Sequence, residues 1–313
     1  MIRRRIGIPG LIAAAGFFVT ACGQDSQPAP DIHHEPVVVY AAFEDDAPLR
    51  KMFARYSEDT GVLVIVRRGT SLTIVDDIIE NKISPPADVL MTRSVTGIWR
   101  AAEKGALRPI ASTVLGVKSP GWSRDPDDLW AGTGFRTAVI VYDAATVSSD
   151  SLVSYEALAE PQFKGMLCLS SSAESINRTV IAMLIDGLGV RQAELVVRGW
   201  MKNLVQPVYE SEGVLLQAIG SGHCEIGIAS SSAAAAYDLA TYSPAATFVD
   251  VDGVGIGRHA RNPDGALALV EWLFAELPGS HFNSIDAAGQ KNVGLVAWHF
   301  EEAVKLVERA QYR

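Results

Sequence analysis

The sequence predicts an α/β fold with a ligand crevice at the ends of its strands. Three observations lead there. Short β-branched runs alternate with stretches of helical spacing from residue 37 onward. The 313 residues, 48% of them apolar, suffice for one large domain or two ordinary ones. Polar stretches rich in small, hydroxyl and charged residues (41–46, 67–71, 92–94, 170–175 and 230–232) follow the predicted strand ends, which is where open α/β sheets bind ligands.

The elements follow in order. Val37-Val38-Val39-Tyr40 is a β-branched run typical of a buried strand. Leu49, Met52, Phe53 and Tyr56 have helical spacing, and Thr60-Gly61 ends that helix. Val62–Val66 is a second strand, 73–82 a helix, 87–92 a strand after Pro85-Pro86, and 94–104 a helix. This βαβαβα order implies a parallel sheet covered by helices. Residues 138–142 (AVIVY) continue the strands, followed by helices at 176–187, 191–203 and 211–220. A strand at 225–229, a helix at 231–241, a strand at 247–251, a helix at 263–275 and a final amphipathic helix at 294–310 complete the chain. Gly253-Val254-Gly255-Ile256-Gly257 lacks the context of a dinucleotide loop and reads as hinge or strand flexibility.

The N-terminus reads as an address. Arg3-Arg4-Arg5 precedes a short apolar region, and Val19-Thr20-Ala21-Cys22 has the pattern of a bacterial lipobox. Residues 1–21 are then a leader, Cys22 is lipidated, and 22–36 form a polar, proline-bearing tether. An ordinary secretory signal is the alternative; both place the mature chain outside the cytoplasmic membrane. Loss of the three arginines takes the formal charge from −9 to −12. With no basic tract left, nucleic acid is not an expected partner, and the membrane is reached only through the lipid. With Cys22 lipidated, Cys168 and Cys224 remain as an even pair in an oxidising space. One disulfide is the simplest account, and two buried thiols are the alternative.

Several segments together resemble the periplasmic ferric-iron-binding family of ABC-importer solute-binding proteins. They are Val38-Val39-Tyr40 with its helix to Gly61; Pro86-Ala87-Asp88-Val89; Arg136 with Val139–Asp143; Tyr155–Pro161 leading to Phe163-Lys164-Gly165; Gly222–Ile228; and the helix from Asn262 to Glu276. The resemblance extends to binders of aminoethylphosphonate, thiamine and polyamines. It implies a periplasmic-binding-protein-like fold of type II with two lobes, a hinge of crossing strands, a guest in the cleft and delivery to a membrane permease. The expected lobes are 37–137 plus 248–313, and 138–247. Cys168 and Cys224 also fall where some members of that family place cysteines.

The departures from that family shape the expected site. Its iron sites use adjacent tyrosines after the strand aligned with 225–229; here those positions are Ser232 and Ala233, and the nearest tyrosine is Tyr237. Its first-lobe ligand aligns with Glu44 or Asp45, and its occasional acidic ligand with Arg93. Arg136 aligns with an arginine that the family associates with the anion beside the iron. Arg93 and Arg136 each offer a planar fork of donors suited to carboxylate or phosphonate oxygens. Ser171, Ser172 and Ser175, with Ser230, Ser231 and Ser232, supply hydroxyls, and the last three begin a predicted helix whose dipole favours an anion. Glu44 and Asp45 face them as partners for an amine or cation. Each residue has a structural alternative: an N-cap serine, an ion-paired arginine, an acidic first helical turn.

The expected function is therefore capture of a small anionic or zwitterionic solute of phosphonate or carboxylate type, by a monomeric lipoprotein that delivers it to an ABC permease. The alternative cargo is ferric iron or a ferric chelate; another is a non-transport interaction lipoprotein, or a binder of a larger apolar ligand. No catalysis, cofactor or resident metal is expected: no Gly-x-Ser-x-Gly elbow accompanies the serine runs.

Overall fold

The computed structural model describes residues 35–42, 47–69, 71–245, 248–276 and 287–313. The leader, Cys22, most of the tether, Glu44 and Asp45 lie outside them. The chain opens with β1 (Val37–Ala42), α1 (Ala47–Thr60), β2 (Val64–Arg68), α2 (Ser71–Ile79), β3 (Val89–Thr92) and α3 (Val95–Glu103). β1 pairs in parallel with β2 on one side and β3 on the other, and every β1 side chain is buried. Its alternation feeds two cores. Val37, Val39 and Ala41 join Leu49, Phe53 and Tyr56 of α1, whereas Val38 and Tyr40 join Ile74, Val75 and Ile78 of α2. Burial on both faces is what a central strand with helices on each side requires.

After β4 (Leu107–Arg108) and α4 (Thr113–Lys118) comes β5 (Trp130–Tyr142), then β6 (Leu167–Cys168), α5 (Ser175–Leu188), α6 (Val190–Asn203) and α7 (Glu212–Gly220). β7 (Ile226–Ser230), α8 (Ser231–Ala234), β8 (Ala240–Tyr242), β9 (Val249–Gly257), α9 (Pro263–Glu276), α10 (Ala287–Trp298) and α11 (Phe300–Arg309) follow. The strands run β2-β1-β3-β9-β5-β7-β6, with β4 on β9 and β8 on β5. β5 is the strand on which everything turns. Trp130–Thr137 pairs with β9, and Ala138–Tyr142 pairs with β7.

Several sequence expectations change. The sheet is mixed rather than parallel: β9 returns from the far end of the chain and runs antiparallel to both β3 and β5. The helix expected at 231–241 is a single turn, because Ala240–Tyr242 takes up ladder bonds along β5 instead. Those bonds, made against a buried strand, outweigh the alanines' helix propensity. The helix expected at 294–310 is two helices parted at His299: α10 packs on α3, β9 and α5, and α11 on α5 and α6. One straight helix cannot follow both surfaces. Tyr312, fully buried, donates to the Ser170 carbonyl at 2.8 Å. Residues 300–313 thus sit with elements of the 138–247 stretch, across the expected lobe division.

The glycine run in β9 is regular strand, and its glycines are needed for contact. A Cβ on Gly253 would fall 2.4 Å from the Ile98 side chain, and one on Gly257 would fall 2.1 Å from the Ala87 carbonyl oxygen. Cys168 and Cys224 form a disulfide with Cα atoms 6.1 Å apart. It lies in a third core with Val139, Val141, Leu215, Leu216 and Ile219.

Candidate functional site

Polar groups concentrate where β5 changes partners. Arg136, two residues before the first β7-paired residue Ala138, is 3% exposed, and its neighbour Asp250 on β9 is fully buried. The guanidinium Nη2 donates to Asp250 Oδ2 at 2.8 Å, to Ser175 Oγ at 2.6 Å and to the Arg93 carbonyl; Nη1 donates to Asp252 Oδ1. Asp250 Oδ1 in turn accepts from the Val95 backbone N–H at 3.0 Å, which ties the start of α3 to β9. Burial pulls the Arg136 pKa down, but Asp252 and Asp250 outweigh it and hold the guanidinium above its ordinary value. Burial pushes the Asp250 carboxyl up against the pull of Arg136. An arginine that gives one nitrogen to each of two acids is a form in which a buried charge is tolerated. One buried cation thus faces the fully buried Asp250 and the partly exposed Asp252.

The second group of candidates lines the starts of α5, α7 and α8. Ser170 is fully buried, with its hydroxyl held by Asn177 Nδ2 at 2.9 Å. Ser171 Oγ accepts from the Ala173 N–H at 3.2 Å, a local turn, and Ser172 is buried. Ser175 is spent on Arg136. Ser230 donates through its N–H and its hydroxyl to the two oxygens of Glu212, at 2.9 and 2.8 Å, and its oxygen caps Ala233. The α8 N-terminus expected to hold a bound anion therefore already faces one, the carboxylate of Glu212, and at one turn α8 has little dipole to offer. Ser231 Oγ accepts from the Thr137 N–H at 3.1 Å. Ser232 is exposed, and half-buried Tyr237 donates to the Gly213 carbonyl at 3.3 Å.

The structure thus joins Arg136 to Ser175 and the Arg93 carbonyl, and leaves Ser232 and Tyr237 on a more open rim. Sequence reading missed Asp250, Asp252 and Glu212. The first two had a signal: two acids alternating within the otherwise apolar Phe248–Val254 segment, where a strand residue on a buried face needs a partner. Glu212 had none beyond its place after the cap Ser211. Among the described residues no group of three or more His, Cys, Asp or Glu is placed to hold a metal ion.

Known proteins give the frame for these groups. The family model of bacterial extracellular solute-binding proteins matches residues 37–276. Iron uptake protein A1 of Synechocystis sp. is 26% identical over 291 residues, covering 87% of this chain and 81% of that protein. An Fe(3+)-binding periplasmic protein of Serratia marcescens is 22% identical over 254 residues, 76% of this chain and 73% of its own. Among solved structures, Trichodesmium IdiA (FutA) in complex with iron and citrate ligands superposes with a TM-score of 0.74 at 26% identity, over 89% of this chain and 100% of that one. The ferric binding protein from Campylobacter jejuni gives 0.79 at 19% identity, over 88% and 100%.

Proposed function

The chain belongs to the family of bacterial extracellular solute-binding proteins, and from that premise we propose that it captures ferric iron as a small oxygen-donor chelate and delivers it to an ABC permease. The fold is that of the type II periplasmic binding proteins. The observation that supports the cargo best is likeness along nearly the whole chain to proteins named for iron uptake or ferric binding.

Two features of the residues favour this cargo over the free phosphonate or carboxylate first expected. Arg136, the strongest anchor for a bare anion, is 3% exposed and its Nη1 and Nη2 already face Asp250, Asp252, Ser175 and the Arg93 carbonyl. Around it lie Asp250, Asp252 and Glu212, a field that favours a guest carrying a cation. The paired tyrosines of the family are replaced by Ser232 and Ala233, so the chelate brings most of its own hard oxygen donors and the protein needs few. We assign Ser231, Ser232 and Tyr237 to one wall of the site, and Arg93, Glu44 and Asp45 to the other. Residues 37–137 with 248–276 form one lobe, and 138–247 with 300–313 the other. The mature chain is a monomer held to the membrane through Cys22.

Titration of the mature chain with ferric citrate, read by tryptophan fluorescence and calorimetry, tests this reading against citrate alone and 2-aminoethylphosphonate. Saturable binding that requires iron is expected. Tight binding of the metal-free phosphonate with no response to ferric citrate would replace the iron reading with the anion reading.

A further inference from the structure

We infer that Arg136 is a positioning residue that sets how far the two lobes close, and that its bond to Ser175 is the latch. The inference rests on the two-lobe fold; only its last arm depends on the proposed cargo.

β5 runs through the junction of the two halves. Its pairing passes from β9 to β7 between Thr137 and Ala138, so rotation of one sheet against the other must be absorbed there. Arg136 stands one residue before that point. Three of its four partners ride together: Asp250 and Asp252 are on β9, and the Arg93 carbonyl precedes α3. Asp250 welds this group by accepting from the Val95 N–H at 3.0 Å. The fourth partner, Ser175 Oγ at 2.6 Å, opens α5 on the other side. The neighbouring link has the same form: the Thr137 N–H donates to Ser231 Oγ at 3.1 Å, at the start of α8.

The two sides of this junction are unequal. On the α3 and β9 side the bonds are ionic or run to a main-chain carbonyl, among groups 3% exposed or less apart from Asp252 at 24%. On the α5 and α8 side both links end on serine hydroxyls, which rotate freely and exchange a protein partner for water at low cost. Domain rotation would break the second kind first. The guanidinium then stays fixed while the Ser175 hydroxyl arrives or leaves as the lobes turn. A guanidinium that is buried and held by two acids of β9 sets the closed population through its bond to Ser175, from inside the protein.

The experiment places dyes on cysteines introduced at the exposed positions Val117 on α4 and Leu195 on α6, and measures energy transfer in the full mature chain without any guest. Ser175→Ala is expected to shift the distance distribution toward longer separations, and Ser175→Thr, which keeps the hydroxyl, to restore it. Arg136→Lys, which keeps the charge beside Asp250 and Asp252, is expected to give the same shift as Ser175→Ala. An unchanged distribution in Ser175→Ala, or a shift that Ser175→Thr does not reverse, would overturn the latch. The second arm measures release of ferric citrate and of ferric nitrilotriacetate. A latch predicts dissociation faster by about tenfold, and by the same factor for both; a loss confined to one chelate would make Ser175 a guest contact and overturn the inference. If neither chelate binds, the cargo proposal fails while the guest-free arm still decides the latch.

Discussion

The β5–β9 crossing and the rim from Ser230 to Tyr237 are built from similar polar residues and do opposite things with them. At the crossing Arg136 makes four bonds within the protein, and its partner Asp250 is fully buried. At the rim Ser232 is exposed and Tyr237 makes one long bond to a carbonyl. Charge is locked away in the first region, and in the second the polar groups are mostly neutral hydroxyls on local bonds, with Ser232 exposed. An arginine beside a cleft therefore says little about ligand contact until its acids have been found.

The largest effect that would break this contrast is loss of Arg136. Arg136→Met leaves Asp250 and Asp252 without their cation and is expected to cost about 3–5 kcal/mol, read as a fall in denaturation midpoint. Ser232→Ala at the rim is expected to stay within about 0.5 kcal/mol; equal costs would erase the distinction. Next comes the disulfide beneath the rim. Cys168→Ser with Cys224→Ser releases a crosslink between residues 56 apart and is expected to cost about 2–4 kcal/mol, seen by melting in the presence and absence of reductant.

A smaller loss sharpens the comparison within the rim itself. Ser230→Ala removes both the α8 cap and a donor to Glu212, and is expected to cost about 1–2 kcal/mol in chemical denaturation, more than Ser232→Ala. The smallest effect lies away from both regions. Arg309 and Arg198 hold the Glu194 carboxylate below its usual range. A depressed acid contributes stability above its unfolded value of about 4.3 and loses that contribution as pH falls. The melting temperatures of Glu194→Gln and the parent chain should thus differ slightly at pH 7 and converge below about pH 4.

Much of the frame was legible because local pattern and tertiary demand agree there. Val37–Tyr40 reads as a strand and is one, buried on both faces. The helices at 191–203 and 263–275 are found within a residue of their observed bounds. The first half of β5 was not legible: Trp130–Thr137 contains two glycines and no β-branched run, and it is a strand only because β9 lies beside it. Ala233–Ala236 reads as helix and yields within a few residues to pairing with β5. The site was less legible than the frame. Its serines stand where strand ends predicted polar groups and Arg136 lies within β5, but which of them are consumed depended on Asp250, Asp252 and Glu212, brought in from 18 to 116 residues away.

One packing arrangement has a mechanical consequence. α10 touches α3 and β9 on one flank and α5 on the other, and Val293, Val296 and Ala297 bury themselves there. It acts as a doorstop behind the crossing strands. Widening the mouth means sliding this helix over one neighbour, a shear of closely fitted side chains that tolerate small steps and resist large ones. Any swing about the crossing strands is thus bounded from behind, where Val293, Val296 and Ala297 are buried.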